Sequence, residues 1–332
     1  MRVLVTGGAG FIGSHLSEAL LAQGAEVWAL DDLSTGRLEN LRSFERHPRF
    51  RFLEGSVTDS ALVNGLVAQC DRVYHLAAAV GVKYVLENPL RSLITNIRGT
   101  EVVLEACAEH GRRAMVFSSS EVYGKGVTVP FSENDDRVMG PTHKLRWSYA
   151  CGKAVDESLA QAYYQQRQLP VVIVRCFNTC GPRQTGSYGM VIPNMIVRAL
   201  RNEPILVFGD GQQSRCFSAV SDVVRGVQLL ADSQQADGEV FNVGSDEEVS
   251  VLELAQRIRR LCDSKSEIEF VPYEKVYGSS FEDMRRRVPN LSKIERFTGY
   301  RPQVTLHQLL EITIRDTCER MGVACPIGLA MA

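Results

Sequence analysis

Residues 6–13 read TGGAGFIG. They follow the apolar run RVLVT (2–6) and open a segment with helical periodicity from Phe11 to Gln23, with Gly24 placed as its C-cap. Glycines at 7, 10 and 13 in a strand–turn–helix context meet three needs of a bound dinucleotide: a tight turn, close approach of backbone to pyrophosphate, and close helix–strand packing. The helix N-terminus then offers unpaired N–H groups to phosphates.

Outward from this turn, strand and helix patterns alternate. EVWAL (26–30), RFRFL (49–53), RVYHLA (72–77), RAMVFSS (113–119) and VVIVR (171–175) are further strands. Asn88-Pro89 opens a long helix to about His110, with proline at the first turn, and 148–167 is helical. Continuous apolar strands alternating with helices predict an α/β fold: a Rossmann-type, doubly wound parallel sheet covered on both faces. After Arg175 the pattern loosens into FNTCGPRQTGSYGM, a helix over 191–201, a strand at ILVF, the loop GDGQQ, and amphipathic helices over 249–262 and 304–320. EVFNVGS (239–245) reads as a strand returning to the main sheet. The expected division is a dinucleotide domain over 1–175, with 215–245 returning to it. A smaller C-terminal α/β substrate domain takes 176–214 and 246–332.

The 332 residues carry a net charge of -2, with Lys and Arg spread along the chain, which gives no general attraction to nucleic acid or an anionic membrane. No apolar run approaches the roughly 18 residues of a membrane span, and the chain enters a strand at once, so a cytoplasmic protein without a signal peptide is expected. The nine cysteines are scattered without CxxC, so reduced thiols and no metal site are expected.

Asp31 ends the second strand, where a carboxylate accepts from the adenosine ribose hydroxyls and repels a 2′-phosphate, which favours NAD; Arg37 nearby tempers that preference. Tyr149 and Lys153 form YxxxK (YACGK), on one helix face. A neighbouring ammonium and a cationic nicotinamide both favour the phenolate, which suits Tyr149 to base work.

With these motifs in order, the chain resembles the extended short-chain dehydrogenase/reductase family, in the branch that remodels nucleotide sugars. The likeness runs through TGGAGFIG, DDLSTGR (31–37), HLAA (75–78), the stretch Asn96–Gly99–Thr100, SSSEVYG (118–124), YACGK, RCFNTCGPR (175–183), FGDGQQSRCF (208–217) and RRRVPN (285–290). The resemblance implies NAD held by Gly7, Gly10, Phe11, Ile12 and Gly13, and by Asp31, Ser34, Thr35 and Gly36. It adds Ser56 and Val57, then Leu76, Ala77 and Ala78, then Asn96, Ser118, Tyr149, Lys153 and Phe177. Ser56 departs from the family, whose members often carry an aspartate there near the adenine.

For the sugar, the resemblance implies that Ser119 bonds the C4 hydroxyl, that Tyr149 is the C4 base and Lys153 its partner. Glu121 joins the catalytic group. Val80, Ser119, Ser120, Glu121, Asn178, Arg183, Val191, Val207, Phe208, Arg215 and Arg287 are implied to contact a UDP-sugar. A homodimer through a four-helix bundle is also implied, by helices such as 88–110 that are apolar on more than one face.

The family shares oxidation at C4 and diverges afterwards. Dehydratases resemble Thr-Asp-Glu where this chain has Ser119-Ser120-Glu121, and the Ser120 hydroxyl is far too weak an acid to replace that aspartic acid. Glu121 after a serine resembles UDP-glucuronate decarboxylases and some uronate epimerases. GPTHKLRWSYACGK and YGSSFEDMRRRVPN resemble the latter and the plant apiose/xylose synthases, and Arg183 and Arg287 could each pair with a substrate carboxylate. The sequence therefore favours an NAD-dependent 4-epimerase of UDP-glucuronate or UDP-glucose, with UDP-glucuronate decarboxylation as the alternative and a net NAD-dependent dehydrogenase or a non-catalytic NAD-binding protein ranked behind it.

Overall fold

The computed structural model describes residues 1–187, 189–277 and 282–328. Tyr188 of the expected loop, positions 278–281 of the YGSSFEDMRRRVPN stretch and the last four residues lie outside the described residues. Six strands β1 (Arg2–Thr6), β2 (Glu26–Asp31), β3 (Phe50–Glu54), β4 (Arg72–His75), β5 (Arg113–Ser119) and β6 (Val171–Cys176) join Val240–Val243 in one parallel sheet. Its spatial order is Val240–Val243, β6, β5, β4, β1, β2, β3. The chain grows one way from β1 to β3, then restarts at β4 on the other side of β1. That reversal leaves a crevice outside the carboxyl ends of β1 and β4, where Thr6 and His75 are paired in register.

Strand periodicity builds the two faces. Val3 and Val5 point into one layer with Leu16 and Leu20 of helix α1 (Phe11–Ala22) and Val223 and Val227 of the helix Val220–Asp232. Leu4 and Val116 point into the other, with Val63 of α2 (Ser60–Val67) and Val103 of the long helix Pro89–Glu109. These side chains are fully buried, which is why the strands read as unbroken apolar runs. The sequence reading marks no helix at 60–67 or 220–232. Asp59 caps the first through its side chain, a signal that was present in the sequence.

Between β4 and β5 lie α3 (Val82–Glu87) and α4, the Pro89–Glu109 helix; α5 (Ser148–Arg167) precedes β6. Gly24 follows the end of α1 at φ +91°, the left-handed geometry expected of the residue after a C-cap. Among the described residues no helix is long and apolar enough to cross a membrane.

The outer lobe packs the helices Val191–Leu200, Val251–Leu261 and Leu306–Met321 around Ile196, Leu254, Ile258 and Leu310. Ser214–Cys216 lies here, between Glu248–Ser250 and Arg286–Arg287, with Arg287 directly beside Arg215 in register. Only from Ser218 onward does the chain turn back toward the large sheet.

Beneath the carboxyl ends of β5 and β6 the Arg175 guanidinium grips Glu157 of α5 in bidentate fashion, at 2.9 and 2.7 Å. Both side chains are almost wholly buried. Removing one partner of such a pair strands the other charge, which costs about 3–5 kcal/mol. Glu157→Ala should therefore lower unfolding free energy by about that amount in urea titrations; a change under about 1 kcal/mol would show that the pair is not structural.

Candidate active site

A cleft of about 490 Å³ runs from the β1–α1 turn, past the end of β5, into the outer lobe. At its first end Gly7 sits at φ +69°, where an added Cβ would lie 2.8 Å from the Ala77 nitrogen. A Cβ on Gly13 would lie 2.1 Å from the Gly7 carbonyl oxygen. The backbone is thus stripped of side chains where α1 begins, and the Gly10 N-cap has no side-chain acceptor to satisfy the helix N–H groups.

Asp31 is buried at the end of β2 and accepts from the Ala9 N–H at 3.0 Å and the Leu33 N–H at 2.9 Å. Arg37, which left room for a 2′-phosphate, is paired with Glu39 at 2.7 Å instead. This cradle fits a dinucleotide with a free 2′-hydroxyl.

Phe11, Ile12, Ser34, Thr35, Val57, Leu76, Ala77 and Ala78 line the same half of the cleft. Four expected cofactor residues do not. Gly36 packs against the Asp31 carboxylate, where its own Cβ would fall 2.5 Å from Oδ1. Ser56 turns to the Thr58 hydroxyl at 2.9 Å. Asn96 is buried and spends its amide on the Ala79 backbone, accepting from the N–H at 2.7 Å, so it shapes the loop after β4 rather than facing a ligand. Phe177 is fully buried against Val122, Tyr123 and Phe131.

Mid-cleft, Ser118 and Ser119 end β5, and α5 presents Tyr149 and Lys153 across from them. Burial pushes the Tyr149 phenol up, Glu121, Asp156 and Cys176 add to it, and the Ser119 hydroxyl opposes them. His75, fully buried between the Thr6 and Thr100 hydroxyls, is pushed down to about 3 by burial and by Lys153, so it stays neutral.

Glu121 follows in the short turn Ser120–Tyr123. Its Oε2 lies 2.6 Å from the Arg146 guanidinium, and its Oε1 accepts from Arg287. Burial would raise this carboxyl, but the two arginines outweigh it and hold it well below the usual carboxylate range. Arg287 also donates to Asn178 Oδ1, while Asn178 Nδ2 donates to the Cys216 carbonyl at 2.7 Å. Arg215 pairs with Asp283 at 2.9 Å.

Val80, Ser120, Val191 and Phe208 also line the cleft. Val207 does not: alternation along Ile205–Phe208 turns it into the lobe core, fully buried. Arg183 lines the cleft, and its guanidinium is held by Glu18 of α1 and by Ser43 at 3.1 Å. Arg146, which the sequence reading does not single out, lines the cleft and pairs with Glu121. The signal was legible as the arginine three residues before Tyr149 in LRWSY, but its aim depends on the short turn Leu145–Trp147. Among the described residues no cluster could hold a metal ion.

The model for GDP-mannose 4,6-dehydratase matches residues 4–313. The chain is 43% identical over 315 residues to a UDP-N-acetyl-alpha-D-glucosaminuronate decarboxylase of Bacillus cytotoxicus, covering 95% of this chain and 97% of the relative. It is 35% identical to UDP-glucuronic acid decarboxylase 4 of Arabidopsis thaliana over 97% of this chain and 69% of that protein. A crystal structure of UDP-glucuronic acid 4-epimerase from Bacillus cereus, with UDP-glucuronic acid and NAD, superposes with a TM-score of 0.87 at 29% identity, over 96% of this chain and 100% of that one. The chain belongs to the GDP-mannose 4,6-dehydratase family of extended short-chain dehydrogenases/reductases, NAD-dependent enzymes of nucleotide sugars.

Because the Gly13 Cβ has no room, Gly13→Ala should weaken NAD binding by about 100-fold or more, read by tryptophan fluorescence or calorimetry. NAD affinity within about threefold of wild type would contradict this placement of the pyrophosphate.

Proposed function

We propose that this family member is an NAD-dependent decarboxylase of a UDP-linked hexuronate, with the 2-acetamido sugar as its first candidate substrate. The observation that carries the reading is Glu121 held between Arg146 and Arg287, with Arg215 alongside. Three guanidiniums converge there on two carboxylates, Glu121 and Asp283. A C6 carboxylate answers that surplus charge and a neutral hexose does not.

In this reading Tyr149 accepts the C4 hydroxyl proton, with Ser119 orienting that hydroxyl and Lys153 favouring the phenolate. NAD, when bound, supplies the hydride acceptor at C4 and later the donor. The C4 ketone lies β to the carboxylate, so the C5–C6 bond breaks, its electron pair passes into the enolate, and carbon dioxide leaves. C5 then takes a proton from water, and Tyr149 returns its proton to the C4 oxygen when the ketone is reduced. Glu121 is held ionised, so it is no proton donor; it holds Arg146 and Arg287 in place.

The 4-epimerase that the sequence favours shares every step up to the ketone. It is the second reading, supported by the likeness to the Bacillus cereus epimerase at 29% identity, against 43% for the decarboxylase. Ser120 is buried and offers no acid for dehydration.

The test uses UDP-N-acetylglucosaminuronate and UDP-glucuronate labelled with ¹³C at C6, followed by NMR with NAD present. Labelled bicarbonate and a pentose product are expected, faster from the acetamido sugar. Label retained in a sugar inverted at C4 overturns decarboxylation in favour of epimerisation. Arg146→Gln should lower kcat/KM on the uronate by about 100-fold, roughly 2.7 kcal/mol, while UDP binding changes little.

We also infer a homodimer through α4 and α5, which leave the apolar Leu90, Ile94 and Val155 71%, 48% and 40% exposed. Light scattering should give twice the chain mass; a monomer at micromolar concentration would refute the pairing.

A further inference from the structure

Lys153 carries a companion that the reaction above does not use. Its Nζ lies 3.0 Å from Oδ2 of Asp156, three residues further along α5. The lysine is 2% exposed and the aspartate fully buried. Among the described residues, Asp156 Oδ1 has no hydrogen-bond partner. A buried carboxylate with one oxygen unanswered is costly unless a fixed cation compensates it. A small neutral residue would fill this helix position without that cost.

We propose that Asp156 is a positioning residue of the active site: as buried counter-ion it fixes the Lys153 ammonium below Tyr149 and sets the net charge that the phenol meets. This rests on the reading of Tyr149 as the C4 base.

The groups facing Tyr149 and Lys153 come from several elements. From the turn after β5 comes Glu121, itself answered by Arg146 and Arg287. Cys176 faces it from the end of β6, and the Ser119 hydroxyl from β5. Neutral His75 faces Lys153 from β4. Glu157 is committed to Arg175 and Ser118. Asp156 is among the charges that push the Tyr149 phenol up, after burial and Glu121. Glu121 is matched by two arginines, whereas the charge of Asp156 is matched by the very ammonium that Tyr149 needs. The sign follows: removing the Asp156 charge while keeping its shape favours the phenolate, so Tyr149 ionises at lower pH.

The NAD-loaded protein, labelled with [ζ-¹³C]tyrosine, is titrated by NMR as wild type, Asp156→Asn and Asp156→Ser, with Tyr149→Phe assigning the signal. In Asp156→Asn the Tyr149 midpoint should fall by about 0.5 unit or more, and the acid limb of kcat/KM should move with it. Asp156→Ser, which loses the reach as well as the charge, should bind NAD about tenfold more weakly than Asp156→Asn, because Lys153 is no longer held. An unmoved Tyr149 midpoint in both variants overturns the charge-setting role, and equal NAD affinity in all three proteins overturns the positioning role. Full activity in Tyr149→Phe would remove the base assignment, while the titration and the NAD affinities still decide the role of Asp156.

Discussion

The buried grip of Arg175 on Glu157 is the contact through which the catalytic elements hold one another. Glu157 also accepts from Ser118 at 2.5 Å, so β5, β6 and α5 meet at a single carboxylate. The third nitrogen of the guanidinium reaches the Tyr123 hydroxyl at 2.9 Å, and that hydroxyl donates to Asn242 at 2.6 Å. Asn242 in turn donates to the carbonyls of Phe131 and Asn290. A chain of satisfied polar groups thus leads from the base-bearing helix to the segment just beyond Arg287. Inside a protein such a network is strong when complete and costly when broken, and it fixes relative positions well.

The cleft has two electrostatic characters. Its dinucleotide half is built from absent side chains: glycine backbone, a helix N-terminus and one buried carboxylate at Asp31. Its sugar half is built from crowded charge: Arg146, Arg287 and Arg215 against Glu121 and Asp283. Between them Tyr149 stands with a phenol that burial and nearby anions push up, opposed by the Ser119 hydroxyl. The parallel register of Arg286–Arg287 on Ser214–Cys216 brings two arginines from distant sequence side by side. Loops fixed to rigid strands set this geometry, as in other open α/β sheets.

Much of this was legible in the chain. TGGAGFIG, Asp31 and YACGK specify local conformation and local chemistry, so their placement survives in the folded molecule with little change. The 148–167 helix and ILVF strand fall where their patterns put them, because burial periodicity is a local signal. Asn96 and Phe177 show the limit: both sit in motifs that border the cleft, yet their side chains serve the scaffold. Arg183 shows it again. A motif says that an arginine is near the site, but Glu18 and Ser43, more than a hundred residues away in sequence, decide which way it points.

The sequence by itself determined which segments form apolar strands, the dinucleotide turn and the tyrosine–lysine pair, since each depends on residues within a few turns of one another. Only the tertiary structure decided that Glu121 is clamped by Arg146 and Arg287, that Arg183 is held by Glu18, and that Lys153 rests on Asp156. The first two are contacts between groups far apart along the chain. The third lies within one helix, but its strength comes from burial by the surrounding elements, and in water the same pair would be worth little.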